Sequence, residues 1–230
     1  MHDLTLVFDL DGTLVDTAPD LIAAANHALT GFGLAPVAGG LLRPWIGYGA
    51  RRMLVESLRE QGSEWPEPEV DRLLERFLAF YERNIAAKSR PFPGAVAALE
   101  KFRGAGARLA VCTNKREVLS RELLAALDLG HLFDALAGRD TFPVSKPHPD
   151  HLIGSIRRAG GEPDRAIMIG DTHVDVETAR AASVPVIACT FGYSETPVRT
   201  LGADAVIDHF DELEPAILAL RPSRQPLALD

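Results

Sequence analysis

The stretch VFDLDGTLVDT, residues 7–17, ends an apolar run at Asp9, places Asp11 two positions later and adds Asp16 within the same short span. Two neighbouring carboxylates repel and raise the pKa of one of them unless a cation neutralises them. A hard divalent ion does so, since Mg2+ takes oxygens from one or two carboxylates together with substrate phosphate and water. Gly12 supplies the backbone freedom that the following turn needs. The pattern recurs at Asp171 and Asp175 in MIGDTHVD, where Gly170 ends another apolar run. Asp171 or Thr172 reads equally well as a helix cap there, and capping does not exclude a metal. Thr113 and Asn114 in VCTNK are also placed to cap a helix, although a hydroxyl and N–H groups at a helix N-terminus suit a phosphoryl oxygen too. Lys146 in SKPHP, taken alone, reads as a solvated loop lysine.

The elements that carry these residues are short apolar runs, each followed by polar residues and then a helical pattern. LTLVFD, RLAVCTNK, RAIMIGDT, VPVIACT and ADAVIDHF are the runs. Continuous apolar strands alternating with helices predict α/β architecture with a parallel sheet covered on both faces. Residues just past successive strands then gather along one edge, where open α/β sheets bind ligands. That edge collects Asp9 with Asp11, Thr113 with Asn114, Lys146, and Asp171 with Asp175. Between the first strand and the next, near Arg108, about seventy residues show helical periodicity and no strand. APDLIAAANHALTGFG, with Pro19 in its first turn, GARRMLVESLREQG and PEVDRLLERFLAFYERNIAA read as three helices. The expected division is a core of residues 1–16 and 90–230, its last ten residues (221–230) a loose tail, and an inserted helical domain of residues 17–89. Joined near residues 16 and 90, that insert can move as a lid. Asp16, where the chain leaves the core, suits a turn or helix cap.

Composition narrows the partners. A net charge of -8 over 230 residues disfavours nucleic acid and anionic membranes, because affinity for phosphate backbones comes from Lys and Arg. No apolar stretch approaches the roughly 18 residues of a membrane span, and MHDLTLVF lacks a basic region followed by an apolar segment. The expectation is a soluble cytoplasmic protein. Cys112 and Cys189, each inside an apolar run, read as buried free thiols in a reducing compartment. Leu21 to Val55 contains no acidic residue and carries Arg43, Arg51 and Arg52, a surface that can receive an anion or merely solvate a helix face. In RPWIGYGARR, Gly47 and Gly49 flank Tyr48 in an expected loop that can present N–H groups to a carboxylate. Nothing in the pattern selects a monomer over a homodimer.

Taken together, D-x-D-G-T after the first strand, Thr after the second, a later Lys and G-D-x-x-x-D resemble the four signature motifs of the haloacid dehalogenase superfamily, over residues 4 to about 210. The resemblance implies a Rossmann-like core with a helical cap of the subclass I type. It implies that Asp9 attacks phosphorus to form an aspartyl-phosphate and that Asp11 serves as acid and base. Mg2+ would be held by the Asp9 carboxylate, the Asp11 backbone carbonyl and Asp171, with Asp175 as ligand or support. Thr113 and Lys146 would balance charge on the transferring oxygens. An acid at Asp11 favours phosphoryl transfer over C–Cl cleavage, and the sole cap lysine, Lys88, lies at the far end of the cap, against phosphonate cleavage. Phosphomutases share the four motifs but carry different residues where this chain has TLVDTAPD, and a non-catalytic protein on this fold would have lost a motif residue. DTAPDL, RPWIGYGARR, KPHPDHL, DVETARAA and FGYSETPV resemble the bacterial phosphoglycolate phosphatases, despite Thr172-His173 where Ser is frequent. That likeness implies a small anionic phosphate ester, 2-phosphoglycolate, with other esters, nucleotides or pyrophosphate as alternatives. Arg43, Gly47, Tyr48, Gly49 and Asn114 are the further candidates for binding it.

Overall fold

The computed structural model describes residues 2–220, so the expected tail lies outside the described residues. The chain runs β1 (Thr5–Phe8), β2 (Val15–Asp16), α1 (Ala18–Gly31), α2 (Gly39–Leu42), α3 (Ala50–Glu60), α4 (Glu67–Arg83) and β3 (Arg90–Pro91). It continues through α5 (Ala95–Gly104), β4 (Arg108–Cys112), α6 (Glu117–Ala126), β5 (Ala135–Ala137) and α7 (Pro149–Arg158). The remaining elements are β6 (Ala166–Gly170), α8 (His173–Ala181), β7 (Val186–Cys189), β8 (Ala205–Ile207) and α9 (Leu213–Leu220).

Six strands form one parallel sheet in the order β5-β4-β1-β6-β7-β8. Both faces are buried, which is why the strands read as continuous apolar runs. Leu6, Phe8, Val111 and Ile169 pack on one face with Leu99, Phe102, Leu123 and Leu213. Val7, Ala110, Met168 and Val186 pack on the other with Leu152, Ile156 and Val176. Register decides what meets at the carboxyl edge. Phe8 lies beside Val111 and Ile169, so Asp9, Thr113 and Asp171 leave the sheet within one residue of the same level.

Helices α1, α3 and α4 enclose a second core of Leu21, Ala25, Leu29, Leu54, Leu58, Leu73 and Phe77, and form a helical cap. Leu119 of α6 and Tyr193 complete this cluster from the sheet side. Several details differ from expectation. RPWIGY is a 3-10 helix rather than a loop, and α4 stops at Arg83, with the Asn84 side chain donating to the Phe80 carbonyl at 2.8 Å. The two connections between sheet and cap pair as an antiparallel ribbon, Val15 opposite Pro91 and Asp16 opposite Arg90. Strands of two residues are too short to carry an alternation, so no pattern announces them. Asp16 caps nothing. Its carboxylate accepts from the Tyr193 hydroxyl at 2.7 Å, and that hydroxyl in turn accepts from the Ala18 N–H at 3.0 Å, at the start of α1.

The buried Asp20 closes the hinge from the other side. Its carboxylate accepts from the Lys88 and Ser89 N–H groups and from the Ser89 hydroxyl, at 2.7 to 3.0 Å. Asp20→Ala leaves the buried Ser89 donors and the half-buried Lys88 N–H without this acceptor, so we expect a loss of about 2–4 kcal/mol in urea unfolding. A midpoint equal to the wild type would show that the hinge does not depend on this carboxylate. Cys112 and Cys189 are free and buried, and among the described residues no helix is long and apolar enough to cross a membrane.

Candidate active site

Asp9, Asp171 and Asp175 are buried and offer oxygens that all lie within 4.8 Å of one another. Each is held by the element it ends or begins. The Asp9 N–H donates to the Ile169 carbonyl at 2.9 Å, extending the ladder between β1 and β6 by one residue. Asp171 accepts from the Thr13 hydroxyl at 2.8 Å on Oδ1 and from the Tyr193 N–H at 2.7 Å on Oδ2. Asp175 closes a capping box on Thr172 at the start of α8. Its Oδ2 accepts from the N–H groups of Asp171 and Thr172 and from the Thr172 hydroxyl, while its Oδ1 accepts from Lys146 Nζ at 2.6 Å. Capping and cluster formation are therefore one arrangement.

Lys146 is not a solvated lysine. It is 5% exposed, and its Nζ sits between Asp175 and Asp9, 2.9 Å from Asp9 Oδ1. Burial pulls its pKa down, but the carboxylates of Asp175 and Asp9 outweigh burial and hold it above the ordinary lysine value. Burial pushes Asp9 up to about 6, against the pull of Lys146 and with the help of Asp175 and Asp11. Burial, then Asp175 and Asp9, likewise raises Asp171 well above the usual carboxylate range.

Two features fit a divalent cation. Asp9 Oδ1 is buried without a partner in hydrogen-bond geometry, Lys146 facing it only as an ion pair. Among the described residues, Asp9, Asp11, Asp171 and Asp175 also face only Lys146 and Lys115, an excess of two negative charges when all are ionised. Gly12, at φ +91°, keeps the space beside this cluster, since a Cβ there would strike the Asp171 carboxylate and come within 2.8 Å of the Tyr193 ring.

A cavity of about 490 Å3 opens beneath the cap, with Asp9, Asp11, Thr113 and Asn114 on its sheet side and Gly47 and Gly49 on its cap side. Lys146, Asp171 and Asp175 stand behind Asp9 rather than on the wall. Thr113 and Asn114 cap no helix, because α6 starts only at Glu117, whose N–H donates to Asp140 at 2.8 Å. The Thr113 hydroxyl instead accepts from the Lys115 N–H at 3.2 Å, and the Asn114 amide donates to the carbonyls of Lys146, at 3.2 Å, and Gly47. Arg43 and Tyr48 do not reach the cavity. Arg43 lies over the Tyr193 ring at 4.7 Å and faces Asp16, and the Tyr48 hydroxyl lies 3.1 Å from His173 Nε2. The positive stretch of the cap is largely cancelled, since Arg51 pairs with Glu67 and Asp71, and Arg52 with Glu56.

Sequence reasoning missed Thr13, Tyr193 and Lys115. Lys115 lines the cavity, and its Nζ lies 3.1 and 3.3 Å from the two Asp11 oxygens and 4.4 Å from the centre of the Tyr81 ring. Its one signal was its place directly after Thr113-Asn114, in a polar run that reads as solvated.

A Rossmann-like sheet whose carboxyl edge gathers a carboxylate cluster beneath a helical cap defines a capped α/β hydrolytic fold. The chain belongs to the haloacid dehalogenase-like hydrolase family, whose model matches residues 6–189. It is 48% identical over 208 residues to a phosphoglycolate phosphatase of Mesorhizobium japonicum, covering 90% of this chain and 92% of that one. A phosphoglycolate phosphatase of Caulobacter vibrioides is 43% identical over 226 residues, 97% of this chain and 95% of its own. A crystal structure described as a predicted phosphoglycolate phosphatase from Haemophilus somnus superposes with a TM-score of 0.87 at 30% identity, covering 94% of this chain and 98% of that one.

Proposed function

We propose that this hydrolase is a Mg2+-dependent phosphatase that converts 2-phosphoglycolate to glycolate and phosphate. The observation that carries the reading is the pairing of Asp9 and Asp11 on one cavity wall, with the acidic cluster directly behind Asp9. The names of relatives sharing nearly half of its residues supply the substrate.

In this reading the Asp9 carboxylate attacks phosphorus and displaces the alkoxide, which takes its proton from Asp11. Water then attacks the aspartyl-phosphate, giving a proton back to Asp11 and freeing phosphate and Asp9. The Asp9 carboxylate, the Asp11 backbone carbonyl and Asp171 would hold Mg2+, and Asp175, both of whose oxygens are taken by donors, orients Asp171 and Lys146. When bound, the ion offsets charge on the phosphoryl oxygens. Lys146 and the Thr113 hydroxyl add to that offset. Residues 17–89 act as the cap over a core of residues 1–16 and 90–230, swinging about the ribbon of β2 and β3 to admit substrate. The two free buried thiols suit a cytoplasmic enzyme.

A panel of phosphate esters assayed with and without Mg2+ tests this. We expect 2-phosphoglycolate to exceed sugar phosphates and nucleotides by at least about tenfold in kcat/KM, a preference of about 1.4 kcal/mol, and EDTA to remove the activity. No phosphate release from 2-phosphoglycolate overturns the substrate, and isomerisation of a sugar phosphate faster than its hydrolysis, followed by phosphorus NMR, makes the protein a mutase.

A further inference from the structure

We propose that Lys115 and Tyr81 together form the subsite for the substrate's carboxylate, and so restrict the enzyme to phosphate esters of α-hydroxy acids. The inference rests on the phosphatase reading above and adds the residues that choose among esters.

The argument starts from the distance between two functional groups of the substrate. In an ester of an α-hydroxy acid the carboxylate carbon is two bonds, about 2.4 Å, from the ester oxygen that leaves. Whatever receives that carboxylate must therefore adjoin the group that protonates the leaving oxygen. Lys115 does so, with its Nζ 3.1 Å from Asp11 and its side chain on the cavity wall. An ammonium has three N–H donors; the Asp11 carboxylate and the Tyr81 hydroxyl face it on two sides, leaving one donor for a second carboxylate. Tyr81 supplies the independent observation. It is 1% exposed, it lines the same cavity, and its hydroxyl faces the Lys115 ammonium short of full hydrogen-bond geometry, with no acceptor for its own O–H among the described residues. Buried hydroxyls are ordinarily paired, and an acceptor oxygen placed beside Lys115 gives this one its partner. Arg116 and Arg139 line the cavity too, but both are exposed. Because Tyr81 belongs to α4 and Lys115 to the sheet side, a carboxylate held by both draws the cap onto the core only when the right ester is bound.

The test compares 2-phosphoglycolate with ethyl phosphate, which keeps the ester and lacks the carboxylate. Lys115→Met keeps the aliphatic stem over Tyr81 and removes the charge. The ratio of kcat/KM for the two esters is expected to fall about 50-fold in this variant and about fivefold in Tyr81→Phe, in line with losing a charged and a neutral hydrogen bond. Equal losses on both esters in either variant overturn the assignment while leaving the substrate reading standing. A wild-type enzyme that turns over ethyl phosphate as readily as 2-phosphoglycolate overturns the substrate reading itself, before any variant is made. Should Lys115→Met not fold, Tyr81→Phe decides alone, since it removes a single hydroxyl and keeps the ring against Lys115.

Discussion

Asp9→Asn is expected to lower kcat by about 10^4-fold or more and to leave no trappable phosphoenzyme, because losing a covalent nucleophile removes the reaction path rather than one contact along it. The substitution is nearly isosteric, and the carboxamide oxygen can still face Lys146. Acid quenching during turnover, followed by intact-mass measurement, should show a phosphate adduct on the wild type and none on the variant. Retained turnover would falsify the assignment of the nucleophile. The same variant should be more stable than the wild type once metal is removed. Burial raises Asp9 to about 6 in the folded protein, against 3.8 for the ordinary side chain. Between those values the folded state holds a proton that the unfolded state releases, so stability falls as pH rises through the window. Asparagine carries no such penalty. In chelator-treated protein it should gain up to about 3 kcal/mol at pH 8, and the gain should vanish below pH 4, where Asp9 is protonated in both states. Thermal melts at the two pH values measure the difference, and a gain that persists at low pH would assign it to packing rather than charge.

What the residues disclose in advance follows the geometry of a parallel sheet. Asp9, Thr113 and Asp171 were legible because each follows an apolar run, and parallel register brings the ends of such runs to one edge. Lys115 was not, because a lysine in a polar run looks solvated until Tyr81, thirty-four positions earlier, is folded over it. The cap arginines misled for the same reason in reverse. Leu21 to Val55 is free of acids in sequence, yet α3 and α4 bring Glu56, Glu67 and Asp71 against Arg51 and Arg52. Tyr193 joins the Asp171 carboxylate to the hinge through its backbone N–H and its hydroxyl, and no local pattern marks an aromatic residue for two such contacts. Periodicity thus reports what each element buries, whereas the pairing of charges between cap and core depends on tertiary closure.

Lys146→Met is expected to produce the largest loss of stability, because it takes away the shared counter-charge of two buried carboxylates. The ammonium lies 2.6 Å from Asp175 Oδ1 and 2.9 Å from Asp9 Oδ1, and all three side chains are nearly or fully inaccessible. Removing one partner from a buried ion pair costs about 3–5 kcal/mol, since the charge left behind is neither solvated nor matched. Methionine fills much of the volume, so the cost is mainly electrostatic. Its pH dependence distinguishes it from a packing defect. Without Lys146 the folded-state pKa of Asp9 climbs further above its unfolded value, so the deficit grows as pH rises and shrinks as the buried carboxylates take up protons. Urea unfolding of metal-free protein at pH 5 and pH 8 should show the larger deficit at pH 8, and a deficit independent of pH would point to packing instead. Activity with saturating Mg2+ should fall by about 10^2 to 10^3, the scale for removing one group that stabilises developing charge. A variant that recovered its melting temperature in Mg2+ but not its turnover would separate neutralisation of the cluster before the reaction from the role proposed for this lysine during it, stabilising the phosphoryl oxygens.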